Sequence, residues 1–161
     1  MPDNDKALRQ QLTTFLNGEG AHITLADALD GLRKEARGKK VPNIPHTIWR
    51  LVEHIRLAQY DIVEFCTNPK YKEPKWPADY WPAGDSPESD SAWNDSLKAI
   101  HRDLERMKAL VNDASVDLFA KIPWGGGQTY LREALLVADH NAYHVGEIVA
   151  VRRALREWPD K

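Results

Sequence analysis

Apolar residues recur at steps of three and four along most of this chain, and that period divides it into helices. Leu8, Leu12, Phe15 and Leu16 share one face, which predicts a first helix over residues 5–16, closed by Gly18 and Gly20. Thr24, with Asp27 three residues on, reads as a capping box for a short helix whose apolar side is Leu25, Ala28, Leu29 and Leu32. After a polar stretch at 37–44, a second long helix is expected from about Pro45, a residue suited to a first turn, to Phe65 or Cys66. Its apolar stripe is Ile48, Leu51, Ile55, Ala58, Ile62 and Phe65, and His54 lies at the edge of that stripe. Trp93, Leu97, Ile100, Leu104, Met107 and Leu110 mark a third within 86–111. A fourth, over 129–157, follows the turn Pro123-Trp124-Gly125-Gly126-Gly127 and ends at Trp158-Pro159. Nothing alternates at period two beyond a residue or two near 119–122. The expectation is an all-α, up-and-down type four-helix bundle with one additional short helix, forming a single domain over 1–161.

One segment breaks the helical pattern. Residues 68–86 hold Pro69, Pro74, Pro77 and Pro82, with Pro87 just beyond, and among them stand Tyr71, Trp76, Tyr80 and Trp81. Prolines at that density exclude a helix, while so many aromatics argue against a disordered linker. An ordered Pro/aromatic-rich loop packed over the bundle is expected, and covering the bundle is favoured over walling a pocket.

Composition narrows the function classes. The formal net charge is −2, and the one basic run, at 37–40, is too short for the clustered footprint that duplex nucleic acid demands. A single cysteine, Cys66, cannot form an intramolecular disulfide, which fits a reducing compartment. The first six residues lack the apolar core of a signal peptide, and no apolar run approaches the length of a membrane span. A cytoplasmic protein acting on a small molecule, with neither nucleic acid nor membrane as partner, is the reading.

The candidate chemistry lies in residues 139–147, where His140 and His144 stand four apart on a helix and project from one face. Two imidazoles so placed can share a metal ion, and a third ligand must come from elsewhere. His54 is the candidate, because it sits at the edge of the apolar stripe of its own helix just as the pair does. Hydrogen-bonded structural imidazoles would give the same spacing, and the residues alone do not separate the two readings. His46, eight residues before His54, would lie about 12 Å away along a continuous helix, too far for the same ion. Cys66, about 18 Å the other way, reads as a core residue. His22 and His101 have no pattern to support them. Glu147, one turn past His144, is the candidate catalytic residue, as a general base or as acceptor of an imidazole N–H; a plain surface carboxylate is the other reading. Tyr143 and Asp139 are weaker candidates for orienting the ligands.

Residues 45–55 (PHTIWRLVEHI) resemble the second-helix signature of the DinB-like (DinB/YfiT) superfamily, and residues 138–148 (ADHNAYHVGEI) resemble its last-helix signature. The Trp124-Gly125 turn before that helix fits too, and the similarity runs over nearly the whole chain in order and spacing. In that family one histidine of the second helix and two of the last, four apart, bind a divalent metal; the matching positions are His54, His140 and His144. The resemblance therefore implies a zinc or nickel site. It also implies a low-molecular-weight thiol as cofactor, since members include thiol-dependent S-transferases and an isomerase, and it implies a homodimer. A metal-dependent hydrolase and a non-catalytic metal- or small-ligand-binding bundle stay open as alternatives. Three imidazoles leave coordination positions free, the pattern of a catalytic rather than a structural site. Because imidazoles ligate when neutral, metal affinity is expected to fall below a pH of about 6.5.

Overall fold

The computed structural model describes residues 3–159. Helix α1 spans Asp3–Leu16, the short α2 Leu25–Leu29, α3 Ile48–Thr67, α4 Asp90–Asn112 and α5 Tyr130–Ala154, with single 3₁₀ turns at Lys34–Ala36 and Ala78–Tyr80. The four long helices form the expected all-α bundle: α3 packs on α4 and α5, α1 packs on the same two, and α2 lies against α5. Among the described residues there is no strand. The two-residue signal near 119–122 resolves into one isolated antiparallel bridge, Lys121 to Thr129, which closes the turn before α5. No helix among these residues is long and apolar enough to cross a membrane.

Side-chain caps decide where the helices begin. The capping box of Thr24 and Asp27 forms as its spacing predicts. Helix α3, however, starts at Ile48 and not near Pro45, because the Thr47 hydroxyl accepts the Arg50 N–H (3.2 Å) and so occupies the position outside the first turn. Likewise α4 starts at Asp90 and not at Ser86, behind the Ser89 hydroxyl that accepts the Ala92 N–H (3.0 Å). At the far end of α5 the Arg156 backbone turns left-handed (φ 58°), and the N–H groups of Arg156 and Glu157 bond back to the carbonyls of Arg153 and Arg152. That Schellman closure ends the helix three residues short of the expected 157.

The core falls into two apolar clusters. One gathers Leu12, Leu16, Ile62, Val63, Met107 and Val137; the other gathers Ile48, Leu51, Ile55, Trp93, Val145 and Ile148. Between them the buried Gln59 side chain donates to the Ile100 carbonyl (2.6 Å) and accepts from the Asn141 amide (2.8 Å), tying α3 to α4 and α5 through one polar layer. Buried Arg9 of α1 reaches the end of α4, donating to the carbonyls of Val111 (2.6 Å), Asp113 (3.0 Å) and Val116 (2.7 Å). The start of α5 is set by Trp124, whose indole N–H donates to the Phe65 carbonyl (2.7 Å). A Cβ on Gly125 would come within 2.8 Å of the tip of the Phe65 ring, so a larger residue here would have to push that ring aside.

Candidate metal centre

Helices α3 and α5 bring their histidines together. His140 and His144 lie one turn apart on α5, and His54 faces them from α3, with one ring nitrogen from each within 4.8 Å of the other two. His54 and His144 are buried, and His140 is partly so. The Nε2 atoms of His54 and His140 stand 3.1 Å apart. Two nitrogens bound to one ion at about 2.0–2.1 Å would be separated by roughly 3.0–3.4 Å, so this spacing suits a shared cation.

Hydrogen bonds assign the protons. His54 Nδ1 lies 2.8 Å from the Tyr80 carbonyl, which can only accept, so Nδ1 carries the hydrogen and Nε2 the lone pair. His144 Nδ1 lies 2.6 Å from a Glu147 carboxylate oxygen, which fixes the same tautomer. The third ring differs: His140 Nδ1 is buried with no partner. If His140 donated Nε2–H to His54, a bare Nδ1 lone pair would stay buried at some energetic cost. With a cation between the rings, His140 would carry its proton on Nδ1, toward the side of the neighbouring Asn141, whose Oδ1 is equally buried and unpartnered. The donor set and its unsatisfied atoms therefore fit a divalent ion, with His54, His140 and His144 as the residues that could hold it.

Electrostatics favours the ligating form. Burial, then the charges of His144 and His54, pull the His140 pKa down to about 4; burial, then His54 and His46, do the same to His144. Burial also lowers His54, against the opposing pull of the Tyr80 carbonyl and Glu147. All three rings are neutral near pH 7, and the proton competition expected below about 6.5 for a free imidazole shifts to lower pH.

A family model for the DinB superfamily matches residues 19–148. This chain belongs to the DinB superfamily. No curated protein and no solved structure matches it. The match to the DinB family takes in all three histidines and the loop between α3 and α4, and leaves α1 outside.

In this DinB bundle that loop does more than cover the helices. Trp81 stacks on His54 with ring centroids 3.9 Å apart and planes 1° from parallel, and Trp76 stands 6.5 Å from the same ring. The expectation that the loop only covers the bundle is therefore corrected: it walls the histidine group, because the Tyr80 carbonyl draws it down onto His54. The placing of His46 also changes. It precedes α3, so the continuous eight-residue helical rise to His54 does not apply, and its ring stacks on Trp81 (3.9 Å, 14°). It belongs to the surroundings of the site though not to the triad. The sequence signal that could have found this was Thr47, a capping residue that puts His46 outside the helix.

The other candidates separate plainly. Glu147 is half-buried and bonded to His144, and burial raises its pKa. Tyr143 is 66% exposed and meets His144 only through ring edges at 5.0 Å. Asp139 is exposed and influences His140 only through its charge. Cys66 lies in the apolar core, where burial pushes its thiol up to about 12, too high for reactivity. His22 and His101 are exposed and are not among the clustered histidines, His22 bonding to the Ile23 carbonyl and His101 facing Glu105.

Proposed function

We propose that this protein is a metal-dependent enzyme in which His54, His140 and His144 hold one divalent ion, zinc or nickel, and that it transfers a low-molecular-weight thiol to a small electrophile. The observation that carries the metal reading is the 3.1 Å approach of two imidazole Nε2 atoms, one of whose rings has its Nδ1 already committed to a carbonyl. When bound there, the ion supplies Lewis acidity and open coordination positions.

The chain's own residues would do the rest. Tyr80 and Glu147 hold two imidazoles with Nε2 inward, and stacked Trp81 excludes water from the His54 side. The thiol is taken over water because the chain resembles thiol-dependent members of the superfamily. Glu147 is the carboxylate in hydrogen-bond contact with the triad, where its Oε2 accepts the His144 N–H. A free thiol ionises near pH 8.5, and a divalent ion at this site would lower that further, so a bound thiol would need little help from a base.

Elemental analysis of protein purified from metal-replete medium tests the first step. Near-stoichiometric zinc or nickel, lost in His144→Ala, is the expected result; metal-free wild type would refute it. Turnover of a chlorinated or epoxide substrate with added thiol, abolished in His54→Ala, is expected for the second. Turnover that ignores His54→Ala would remove the metal from the reaction, and thiol-independent hydrolysis would replace the transferase reading by the hydrolase one.

A further inference from the structure

Thr47, the cap of α3, and Arg50, His54 and Asp61 within it follow one another at three, four and seven positions and so lie along one side of the helix. Each of them grips the loop. Thr47 Oγ1 donates to the Asp85 carbonyl (2.7 Å), Arg50 Nη1 to the Pro82 carbonyl (2.9 Å), and His54 Nδ1 to the Tyr80 carbonyl (2.8 Å). At the C-terminal end of this row, Asp61 accepts two phenols, Tyr80 Oη at 2.7 Å and Tyr71 Oη at 2.5 Å, one on each carboxylate oxygen.

Tyr80 is thus held twice, by its ring and by its backbone. The ring is buried and its hydroxyl bonds to a carboxylate, both of which raise the phenol's pKa and keep the donor proton in place at all ordinary pH. A side chain anchored at its tip, on a loop pinned at Pro82 and Asp85 as well, leaves the carbonyl of the same residue little freedom. That carbonyl is the atom that decides which nitrogen of His54 carries hydrogen, and which points at His140.

We infer that Asp61 is a positioning residue for the histidine group: by clamping the Tyr71 and Tyr80 phenols it fixes the Tyr80 carbonyl, and through it the tautomer and aim of His54. The chain of contacts runs from a carboxylate two turns along α3, out into the loop and back to the same helix, without Asp61 touching any imidazole. The consequence for metal holding rests on the metal reading above; the consequence for the His54 tautomer does not.

The experiment uses zinc as the probe, in chelator-competition titrations, and side-chain ¹⁵N NMR of metal-free protein to read the tautomers. Asp61→Ala is expected to weaken zinc by roughly tenfold, the low end of what groups orienting metal-bound histidines contribute. It should also convert His54 from a pure Nδ1–H form to a mixture, while His144, held by Glu147, keeps its own form. Tyr80→Phe, which removes only the phenol oxygen, should reproduce both effects, and the double variant should bind zinc no more weakly than either single one. Asp61→Asn, which keeps one acceptor oxygen, should fall between wild type and Asp61→Ala. Wild-type zinc affinity and an unchanged His54 tautomer in these variants would overturn the inference, even where melting temperature drops, because a purely structural clamp would behave in that way. Should Asp61→Ala not fold, Tyr80→Phe decides. Should the wild type bind no zinc, the metal reading fails by itself, and the tautomer measurement still judges the clamp.

Discussion

Burial acts on the two α5 imidazoles in opposite senses: it prepares them to ligate, and it makes the fold sensitive to acid. With pKa values near 4 for His140 and His144 against 6.5 for free imidazole, the unfolded chain binds protons there that the folded chain refuses. Stability without metal should therefore fall as the pH drops from about 6.5 toward 4, and this contribution should level off below that. Urea midpoints of metal-free wild type and His140→Ala, compared at intervals from pH 7 to 4, check this; the variant should show the shallower slope, and equal slopes would contradict neutral buried histidines. Metal affinity should begin to fall at a lower pH than the sequence alone suggested, because burial lowers all three imidazoles, and should be lost as His140 and His144 titrate near 4. Glu147 is a residue-scale matter too. Removing the acceptor for the His144 N–H in Glu147→Ala should weaken metal binding by about 10–100-fold, as loss of such partners generally does. Unchanged affinity in a competition titration would leave Glu147 without that role.

Single side chains fix the limits of the helices, and those on α3 also carry the loop. Thr47 both accepts the Arg50 N–H and donates to the Asp85 carbonyl, so it caps the helix and pins the aromatic loop at once. Thr47→Ala is expected to lower unfolding free energy by about 1–2 kcal/mol, measured by chemical denaturation; an effect within a few tenths would mean the cap is replaceable. Capping signals explain much of what was legible along the chain. Thr24 with Asp27 announces its helix from local composition, whereas Thr129, read as the first residue of α5, is its cap. Pro45 misleads for a physical reason: proline is compatible with a first turn but does not require one, whereas the Thr47 hydroxyl satisfies an N–H that would otherwise be open. The end of α5 was hidden, since Arg156, a non-glycine residue, adopts the left-handed conformation there.

For the whole molecule the decisive feature is that the three histidines and the Gln59 layer join side chains from several helices. An ion that binds the folded state and not the unfolded one stabilises it by mass action, about 2.7 kcal/mol when present at a hundred times its dissociation constant. For a chain of this size that corresponds to a rise in melting temperature of roughly 5–10 °C. Calorimetry with zinc and after chelation should show that difference in wild type and none in His140→Ala; equal shifts in both would place the bound metal elsewhere. Gln59 is the other long-range tie. Gln59→Leu removes the bond to the Ile100 carbonyl and leaves the partly buried Asn141 amide without its acceptor, and should cost about 1–3 kcal/mol.

By itself the sequence determined the helices, the all-α bundle, the pairing of His140 with His144 and their partner on another helix. Each of these follows from a periodicity, and a helix turns periodicity along the chain into direction in space. The tertiary structure alone decided the tautomers, the suppressed basicity of the imidazoles, the stacking of Trp81 between His46 and His54 in the chain of contacts, and the grip of Asp61 on two tyrosines. Residues 71–85 have no period, because prolines interrupt it, so their contacts depend on which carbonyl meets which side chain once the loop has closed on α3. That is why three histidines could be picked out of the string, while the loop that aims one of them could not.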